Sequence, residues 1–257
     1  MSQDYGKEGT LAVLTPQANT TVEPEIWSLL PPGWSLLNAR LTSPCATIEE
    51  RLVDYAEALA TTTVNQFANA PLDAIAFACT GASYLIGAER EQQIVEAVES
   101  QTNVPCITAA RATTSALKTM GAKSIALLSP YPESLNISSV KYWQSQGFTI
   151  VDSAGPTLQR EASHPIYAMS AEAVYQSYKR LSTGDADAVL MLGTGMPTLK
   201  CILRGHRQQL SPALSCNLAL TWAATTATPT TNIAEWPAGT HWQQRFHLIT
   251  GDSADQR

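Results

Sequence analysis

The sequence has little charge and no dense basic segment. Charged residues make up 15% of its 257 positions and the formal net charge is −6, with an isoelectric point near 5.2. Binding to a phosphate backbone needs clustered Lys and Arg, so this composition predicts no nucleic-acid partner. It leaves an anionic small molecule open, because backbone amides at helix N-termini and in tight turns bind anions without basic side chains.

Long apolar runs are also absent. The apolar stretches break at Gly, Pro or a polar residue after about eight positions at most, whereas a transmembrane helix needs about 20. Residues 1–9 are polar and of mixed charge, so no signal peptide is expected. These features predict a cytoplasmic protein without a membrane partner, and they leave a homo-oligomer open.

The cysteines are too few and too widely spaced for a disulfide framework or a zinc site. None of them forms a C-x-x-C pair, and the five are Cys45, Cys79, Cys106, Cys201 and Cys216. An odd number of scattered thiols predicts reduced cysteines. The sequence likewise has no H-E-x-x-H, G-x-S-x-G, Walker A or G-x-G-x-x-G motif, so neither a metal nor another cofactor is predicted.

Short apolar runs alternate with amphipathic segments, which is typical of an α/β fold with a parallel sheet. The predicted strands are Leu11–Leu14, Ala74–Ala78, Ile125–Leu128 and Ala188–Leu192. Apolar spacings near 3.6 residues predict helices over Ile48–Ala68, Glu89–Ser100, Ala112–Met120 and Ala171–Leu181.

Three segments of the chain recur with similar sequence 114 residues later. The pairs are Leu11–Pro16 with Ile125–Pro130, Gly33–Leu37 with Gly147–Val151, and Asp73–Leu85 with Asp187–Leu199. One offset shared by three pairs indicates a duplicated unit. We predict two pseudo-symmetric, Rossmann-like halves with parallel four-stranded sheets. The first comprises residues 1–114 with the tail 215–257, and the second comprises residues 115–214.

In parallel α/β sheets the ligand crevice lies at the carboxyl ends of the strands, where helix N-termini present unpaired amides. If the two halves face each other, the turn Cys79-Thr80-Gly81 lies opposite the turn Gly193-Thr194-Gly195. The ligand is then expected in the cleft between them, with a thiol on one side and glycine on the other.

Cys79 is the strongest candidate for a reactive group. It follows a predicted strand and precedes small residues at a predicted helix start, where a thiol pKa is expected to be depressed. The competing interpretation is a buried core cysteine. Cys106 and Cys216, next to predicted strand starts, are expected in the core, whereas Cys45 is expected to be partly exposed and Cys201 to lie on a helix.

Three other residue types in the predicted cleft have competing interpretations. Asn19 follows the first strand and is expected either to cap a helix or to face the ligand. Tyr131 follows the third equivalent strand, where it is either a site residue or an interface aromatic. His164 and His206 are better explained as surface or structural residues than as catalytic ones.

Taken together, these residues resemble the maleate cis-trans isomerase and arylmalonate decarboxylase family of the aspartate/glutamate racemase superfamily. The resemblance extends from Gly9 to Ala224 and is strongest at Asn19–Glu25, Ala78–Gly81, Ser129–Tyr131 and Gly195–Leu199. It implies two similar α/β halves with the active site between them. It also implies a cofactor-independent enzyme that acts on a small dicarboxylate.

The resemblance implies roles for individual residues. Cys79 would attack the alkene carbon, with Tyr131 as a second catalytic residue, and Asn19 and Tyr131 would bind carboxylate. Further donors to the substrate are expected at Thr80, Gly81, Ser83, Gly193, Thr194 and Gly195. A family asparagine aligns loosely with Ser163 or His164.

The chain departs from the family at Gly193, where isomerases and racemases usually carry a second cysteine and decarboxylases their single one. Racemisation by two bases needs a proton carrier on each face, so it is not expected here unless His164 or a water takes that place. If the halves face each other, Gly193→Cys is expected to introduce racemase-like proton exchange. Cis-trans isomerisation through a Cys79 adduct needs one thiol and is the favoured prediction. Arylmalonate-type decarboxylation, with Cys79 as proton donor, and a non-catalytic acid-binding homologue are the alternatives.

Overall fold

The computed structural model describes residues 4–156, 165–182, 184–226 and 233–251. Two parallel four-stranded sheets with flanking helices form this part of the chain, which confirms the predicted α/β class. Among the described residues, no helix combines the length and the apolar character that crossing a membrane requires.

The first sheet has the strand order β2-β1-β3-β4. Its strands are β1 (Gly9–Pro16), β2 (Trp34–Leu41), β3 (Ala74–Phe77) and β4 (Cys106–Thr108). The central strands β1 and β3 are buried throughout, because both of their faces are covered. The accompanying helices are α1 (Val22–Leu29), α2 (Ile48–Glu57), α3 (Leu59–Phe67), α4 (Thr80–Thr102) and α5 (Ala109–Thr119).

The second sheet repeats this arrangement in the order β6-β5-β7-β8. Its strands are β5 (Ser124–Leu128), β6 (Thr149–Ala154), β7 (Ala188–Met191) and β8 (Ala213–Ser215). The later helices are α6 (Glu133–Ser145), α7 (Ala171–Leu181), α8 (Leu199–Arg207), α9 (Cys216–Thr225) and α10 (Gln243–Thr250). Two 3-10 helices cover Pro165–Ala168 and Ile233–Ala238. The matching strand orders confirm the duplication predicted from the repeat.

Two predicted helices differ in their extent from the observed ones. The segment Ile48–Ala68 is divided at Ala58 into α2 and α3, and although both contact α4, α3 also packs on β2. The helix predicted over Glu89–Ser100 begins much earlier, at Thr80, and bends at Gly87, whose φ is +75°. The earlier start places Cys79 at the N-cap position of α4.

The two halves are joined by helices that cross between them. Helix α9 leaves the second sheet and packs against α5, α1 and β3, and α10 also packs against α1. Cys106 and Cys216 are buried, as predicted for core cysteines, and Cys45 is partly exposed. The division into residues 1–114 with 215–257 and residues 115–214 stays a prediction.

Candidate active site

A cavity of about 610 Å³ lies where the carboxyl ends of the two sheets meet. It is lined by the residues that follow β1, β3, β5 and β7, together with one face of α2 and the 3-10 helix that contains Tyr167. Among its described lining residues there is no Asp, Glu or His, and Arg51 is the one cation. The cavity is therefore a largely neutral site with a single charged side chain.

Cys79 lines this cavity at the N-terminus of α4. Its backbone is extended, and it is 4% exposed. Burial raises the pKa of the Cys79 thiol to about 12, although the N–H groups of Ala82 and Gly81 act in the opposite direction. The depressed pKa expected from the helix N-terminus is therefore wrong, because removal from water outweighs the two amide contacts. At neutral pH this raised pKa keeps the Cys79 thiol protonated.

The raised pKa makes a direct prediction for alkylation. Since the thiolate reacts and its fraction grows about tenfold per pH unit below the pKa, iodoacetamide should label Cys79 about 100-fold faster at pH 9 than at pH 7. The rate is measured by mass spectrometry of the Cys79 peptide. The Cys106 peptide, whose buried thiol has a similarly raised pKa of about 12, is a reference that should show the same pH dependence. A plateau below pH 8 would show that the thiolate is stabilised and would contradict the raised pKa.

Hydrogen bonds connect the two predicted turns. Thr194 Oγ1 donates to the carbonyl of Ala78, the residue before Cys79, at 2.8 Å. Asn19 Nδ2 donates to Thr194 Oγ1 at 3.1 Å, and Asn19 Oδ1 accepts from the N–H groups of Thr21 and Val22 at the start of α1. Asn19 therefore accepts hydrogen bonds from amides at the start of α1, whose N-cap residue is Thr21, and it also lines the cavity. Its contact with a ligand stays a prediction.

Gly193 has a backbone conformation that other residues avoid, with φ +81°. A Cβ at this position would lie 3.1 Å from both Tyr131 Oη and Pro130 Cγ. Burial raises the pKa of the nearby Cys216 thiol to about 11, and the Gly193 N–H, directed at that sulfur, opposes the rise. The expectation that Gly193→Cys supplies a second thiol is therefore revised. The Tyr131 phenol occupies the space that the new side chain would need, and the Gly193 N–H is directed at Cys216.

Tyr131 approaches Thr80 from the second half. Its hydroxyl lies 3.0 Å from Thr80 Oγ1, and either oxygen can be the donor. Burial raises the pKa of the Tyr131 phenol well above its usual value, so it keeps its proton. Thr80 and Tyr131 thus place two neutral, hydrogen-bonded hydroxyl groups in the same cavity lining as the Cys79 thiol.

The structure does not bring every predicted residue to the cavity. Ser83, on the first turn of α4, is fully buried, donates to Glu91 Oε1 at 2.7 Å and is not part of the cavity lining. Its predicted substrate contact is thus corrected, whereas Thr80, Gly81, Thr194 and Gly195 all line the cavity. Ser163 and His164 lie outside the described residues, and His206 is exposed.

Three cavity residues had no sequence signal. Arg51 and Tyr55 come from α2 and Tyr167 from a 3-10 helix, so only the packing of these helices brings them to the site. Their spacing on α2 matches an ordinary amphipathic face, which by pattern alone predicts core packing. Among the described residues there is no cluster of three or more His, Cys, Asp or Glu placed to hold a metal.

Behind the second-half turn lies a buried carboxylate, Glu25 of α1. It accepts hydrogen bonds from the N–H groups of Thr198 and Leu199 at the start of α8, at 2.6 and 3.1 Å. Asn217 Nδ2 donates both to Glu25 at 2.8 Å and to the Thr194 carbonyl at 3.0 Å. Burial raises the pKa of Glu25, and these donors lower it in part. The carboxylate thus ties the turn that holds Thr194 to both halves.

Known proteins share this sequence pattern and fold. A family model described as arylmalonate decarboxylase matches residues 12–236. The maleate isomerase of Geobacillus stearothermophilus is 25% identical over 225 residues, with 81% of this chain and 87% of that protein covered. The crystal structure of the maleate isomerase Iso from Pseudomonas putida S16 has a TM-score of 0.75 at 24% identity, covering 85% of this chain and 92% of that one.

One further solved structure bears on cysteine chemistry. It is a cysteine-to-serine mutant of the Nocardia farcinica maleate cis-trans isomerase with a covalently bound succinylcysteine intermediate. Its TM-score is 0.72 at 24% identity, covering 84% of this chain and 90% of that one. At this level of identity the two solved structures show a shared fold.

Proposed function

This chain belongs to the arylmalonate decarboxylase family, and on that basis we propose that it is a cofactor-independent isomerase. Its substrate is a cis-unsaturated dicarboxylate of the maleate type, and the reaction passes through an adduct on Cys79. The curated relatives, all maleate isomerases, support this choice. The observation that carries it is the Cys79 thiol, at the turn after β3, facing a cavity whose described lining has no carboxylate or imidazole. Cys45, the other thiol of that lining, is hydrogen-bonded to Asp54.

In the proposed reaction the Cys79 sulfur attacks one alkene carbon. The C–S bond forms while the π electron pair moves to the neighbouring carbon, which takes up a proton to give a succinyl thioether. The bond between the two carbons is then single and rotates. Loss of that proton and expulsion of the sulfur regenerate the alkene in the trans form, so no proton or electron is gained overall.

The raised pKa of Cys79 decides how the thiol is activated. A protonated thiol must lose its proton as the sulfur attacks, and no described cavity residue is an ordinary base at neutral pH. The substrate's own carboxylate is the nearest acceptor in this proposal. Tyr131, which keeps its proton, then serves as the donor to carbon or to the developing charge.

Neutral donors would hold the two substrate carboxylates. Thr80 and Gly81 lie on the Cys79 side and Thr194 and Gly195 on the other. Preorganised donors of this kind contribute about 3 kcal/mol each where charge builds up in a transition state. The hydroxyl proton of Thr194 is already used by Ala78, so we assign Thr194 a role through its backbone. Roles for Ser163 and His164 remain predictions.

The experiment is a substrate panel followed by NMR in D2O. Maleate, phenylmalonate and aspartate are incubated separately with the enzyme, and fumarate, CO2 loss and deuterium uptake are scored. We expect fumarate from maleate, and no deuterium in aspartate because Gly193 supplies no second proton carrier. Decarboxylation without isomerisation would replace the proposal by the second candidate below. Tight binding without turnover of any acid would identify a non-catalytic acid-binding protein.

Decarboxylation is the second candidate, and a specific observation favours it. A thiol with a pKa of about 12 is a proton donor in its resting state, and the cavity wall is apolar at Ile48 and Leu52. Loss of CO2 from a malonate would leave an enolate, which Cys79 would protonate on its own face. The product should then have the opposite hand from that of decarboxylases with a second-half cysteine, which chiral chromatography measures.

A further inference from the structure

The cavity is much larger than a four-carbon diacid. Its volume is about 610 Å³. Cavities of this size hold ligands of drug-like dimensions. A diacid held between the two turns would therefore leave a substantial part of the cavity unfilled. Helix α2 supplies part of the cavity lining that the two turns do not.

Helix α2 turns one complete face toward the cavity. Ile48, Arg51, Leu52 and Tyr55 have the i, i+3, i+4, i+7 spacing of neighbours on one helical face, and all four line the cavity. Such a face ordinarily packs into a protein core. Here Ile48 and Leu52 form an apolar wall of the cavity, and Arg51 lies on the same face of the helix.

Arg51 differs from the three arginines that form ion pairs among the described residues. Arg40, Arg90 and Arg204 each pair with a glutamate. Arg51 Nη1 instead donates to the carbonyl oxygens of Cys45 and Ala46, at 3.1 and 2.8 Å, and no carboxylate of the described residues forms an ion pair with it.

Nearby carboxylates are already engaged elsewhere. Asp54 accepts from Ser43 and Cys45, and Glu50 forms the capping box with Thr47. The two carbonyl bonds hold the Arg51 guanidinium in place, and it has no ion-pair partner among the described residues.

Two phenols of the cavity lining are influenced by both this charge and the thiol. Burial and then Cys79 raise the pKa of both Tyr55 and Tyr167, and Arg51 opposes the rise in each case. Each phenol is therefore within electrostatic reach of both ends of the cavity. Both keep their protons, and both line the cavity together with Ile48 and Leu52.

We propose that Arg51, with Tyr55 and Tyr167, forms an outer subsite for a third carboxylate. The preferred substrate is accordingly a maleate-type diacid that bears an apolar, ring-sized substituent ending in a carboxylate. A guanidinium with free N–H groups binds a carboxylate through two parallel hydrogen bonds, and the apolar wall fits the ring. The inference rests on the proposed function, since it assumes that the diacid end lies between the turns.

The test compares two substrates that differ in one group. These are 2-(4-carboxybenzyl)maleate and 2-(4-methylbenzyl)maleate, which lacks the third carboxylate. Both are assayed by NMR for their trans isomers. We expect the wild-type kcat/KM to favour the carboxylate by about 10- to 100-fold, as for a hydrogen-bonded ion pair. Arg51→Gln should remove this preference, and Arg51→Lys should retain part of it. Arg90→Gln, which removes a surface arginine that pairs with Glu57, should leave the preference unchanged.

Two outcomes would overturn the subsite: equal kcat/KM for the two substrates in the wild type, or an undiminished preference in folded Arg51→Gln. A binding readout separates this from failure of the proposed function. Protection of Cys79 from iodoacetamide by each compound gives a Kd without turnover. If neither compound isomerises but the carboxylate still binds about 10-fold more tightly through Arg51, the subsite stands and the isomerase proposal fails.

Discussion

Cys79→Ala is expected to lower kcat for the favoured diacid by a factor on the order of 10⁴ or more, because removal of a covalent nucleophile leaves only binding and charge stabilisation. The cavity offers no described carboxylate or imidazole that could take over. The fold should persist, since the sulfur lies on the cavity wall and has no side-chain partner. The measurement is kcat by NMR together with thermal unfolding of the same preparation.

The matched control is Cys106→Ala, which removes another buried thiol at the start of β4. It should lower the free energy of unfolding modestly and leave the kinetics close to wild type. Cys79→Ser adds a second comparison, because it keeps a polar side chain of similar size but a far weaker nucleophile. Residual activity of folded Cys79→Ala within tenfold of wild type would rule out both the adduct and the proton-donor role.

Glu25→Ala is expected to lower the free energy of unfolding by about 3 kcal/mol or more. The change leaves the N–H groups of Thr198 and Leu199 and one Asn217 donor without their acceptor, and each unsatisfied buried group costs about 1–3 kcal/mol. Urea denaturation measures the loss. The matched control is Glu57→Ala, which removes an exposed ion pair with Arg90 and should cost under about 1 kcal/mol.

Glu25 also predicts a pH dependence with a defined sign. Its pKa in the folded protein is raised above 4.5 by burial, so the folded state binds the Glu25 proton more tightly than the unfolded state. The stability that this proton supplies is complete below pH 4.5 and is lost as the pH rises through the folded-state pKa. Relative to non-titrating Glu25→Gln, the wild type should therefore gain stability on acidification from neutral pH. A gain in the opposite direction would contradict the raised pKa.

Glu25→Ala should also affect catalysis, because Glu25 helps to position the turn that contains Thr194 although it does not line the cavity. Asn217 holds the Thr194 carbonyl as well as Glu25, and Thr194 holds the carbonyl before Cys79. Loosening this chain of bonds should raise KM for the diacid in Glu25→Ala. Glu25→Gln keeps the side-chain volume and one acceptor oxygen, so its KM should lie between that of the wild type and that of Glu25→Ala.

Much of the fold was predictable because its signals are local. Buried parallel strands such as β1 and β5 are continuous apolar runs, and helix α7 was predicted with the bounds that the structure has. The duplication was evident from segments that keep one spacing along the chain. Such signals also identified the strand-end turns at Cys79 and Gly193, since a parallel sheet brings strand ends to one edge.

The chemical state of the site required the packed structure. The thiol pKa of Cys79 depends on how completely neighbouring elements exclude water, and that quantity cannot be read from the five residues around it. The orientation of Ser83 toward Glu91 depends on where α4 begins, which the apolar pattern placed too late. Whether a side chain fits at position 193 depends on Tyr131, 62 positions earlier in the sequence, whose hydroxyl fills the space beside Gly193.

Local pattern thus specified the duplicated α/β halves, the strand-end turns and the position of the single thiol on one side. Long-range packing specified the protonation of that thiol, the Glu25 support and the arrival of Arg51, Tyr55 and Tyr167 at the cavity. The physical reason is that apolar periodicity reports which face of an element is buried. It does not report what that face is buried against, and desolvation and hydrogen bonding depend on that.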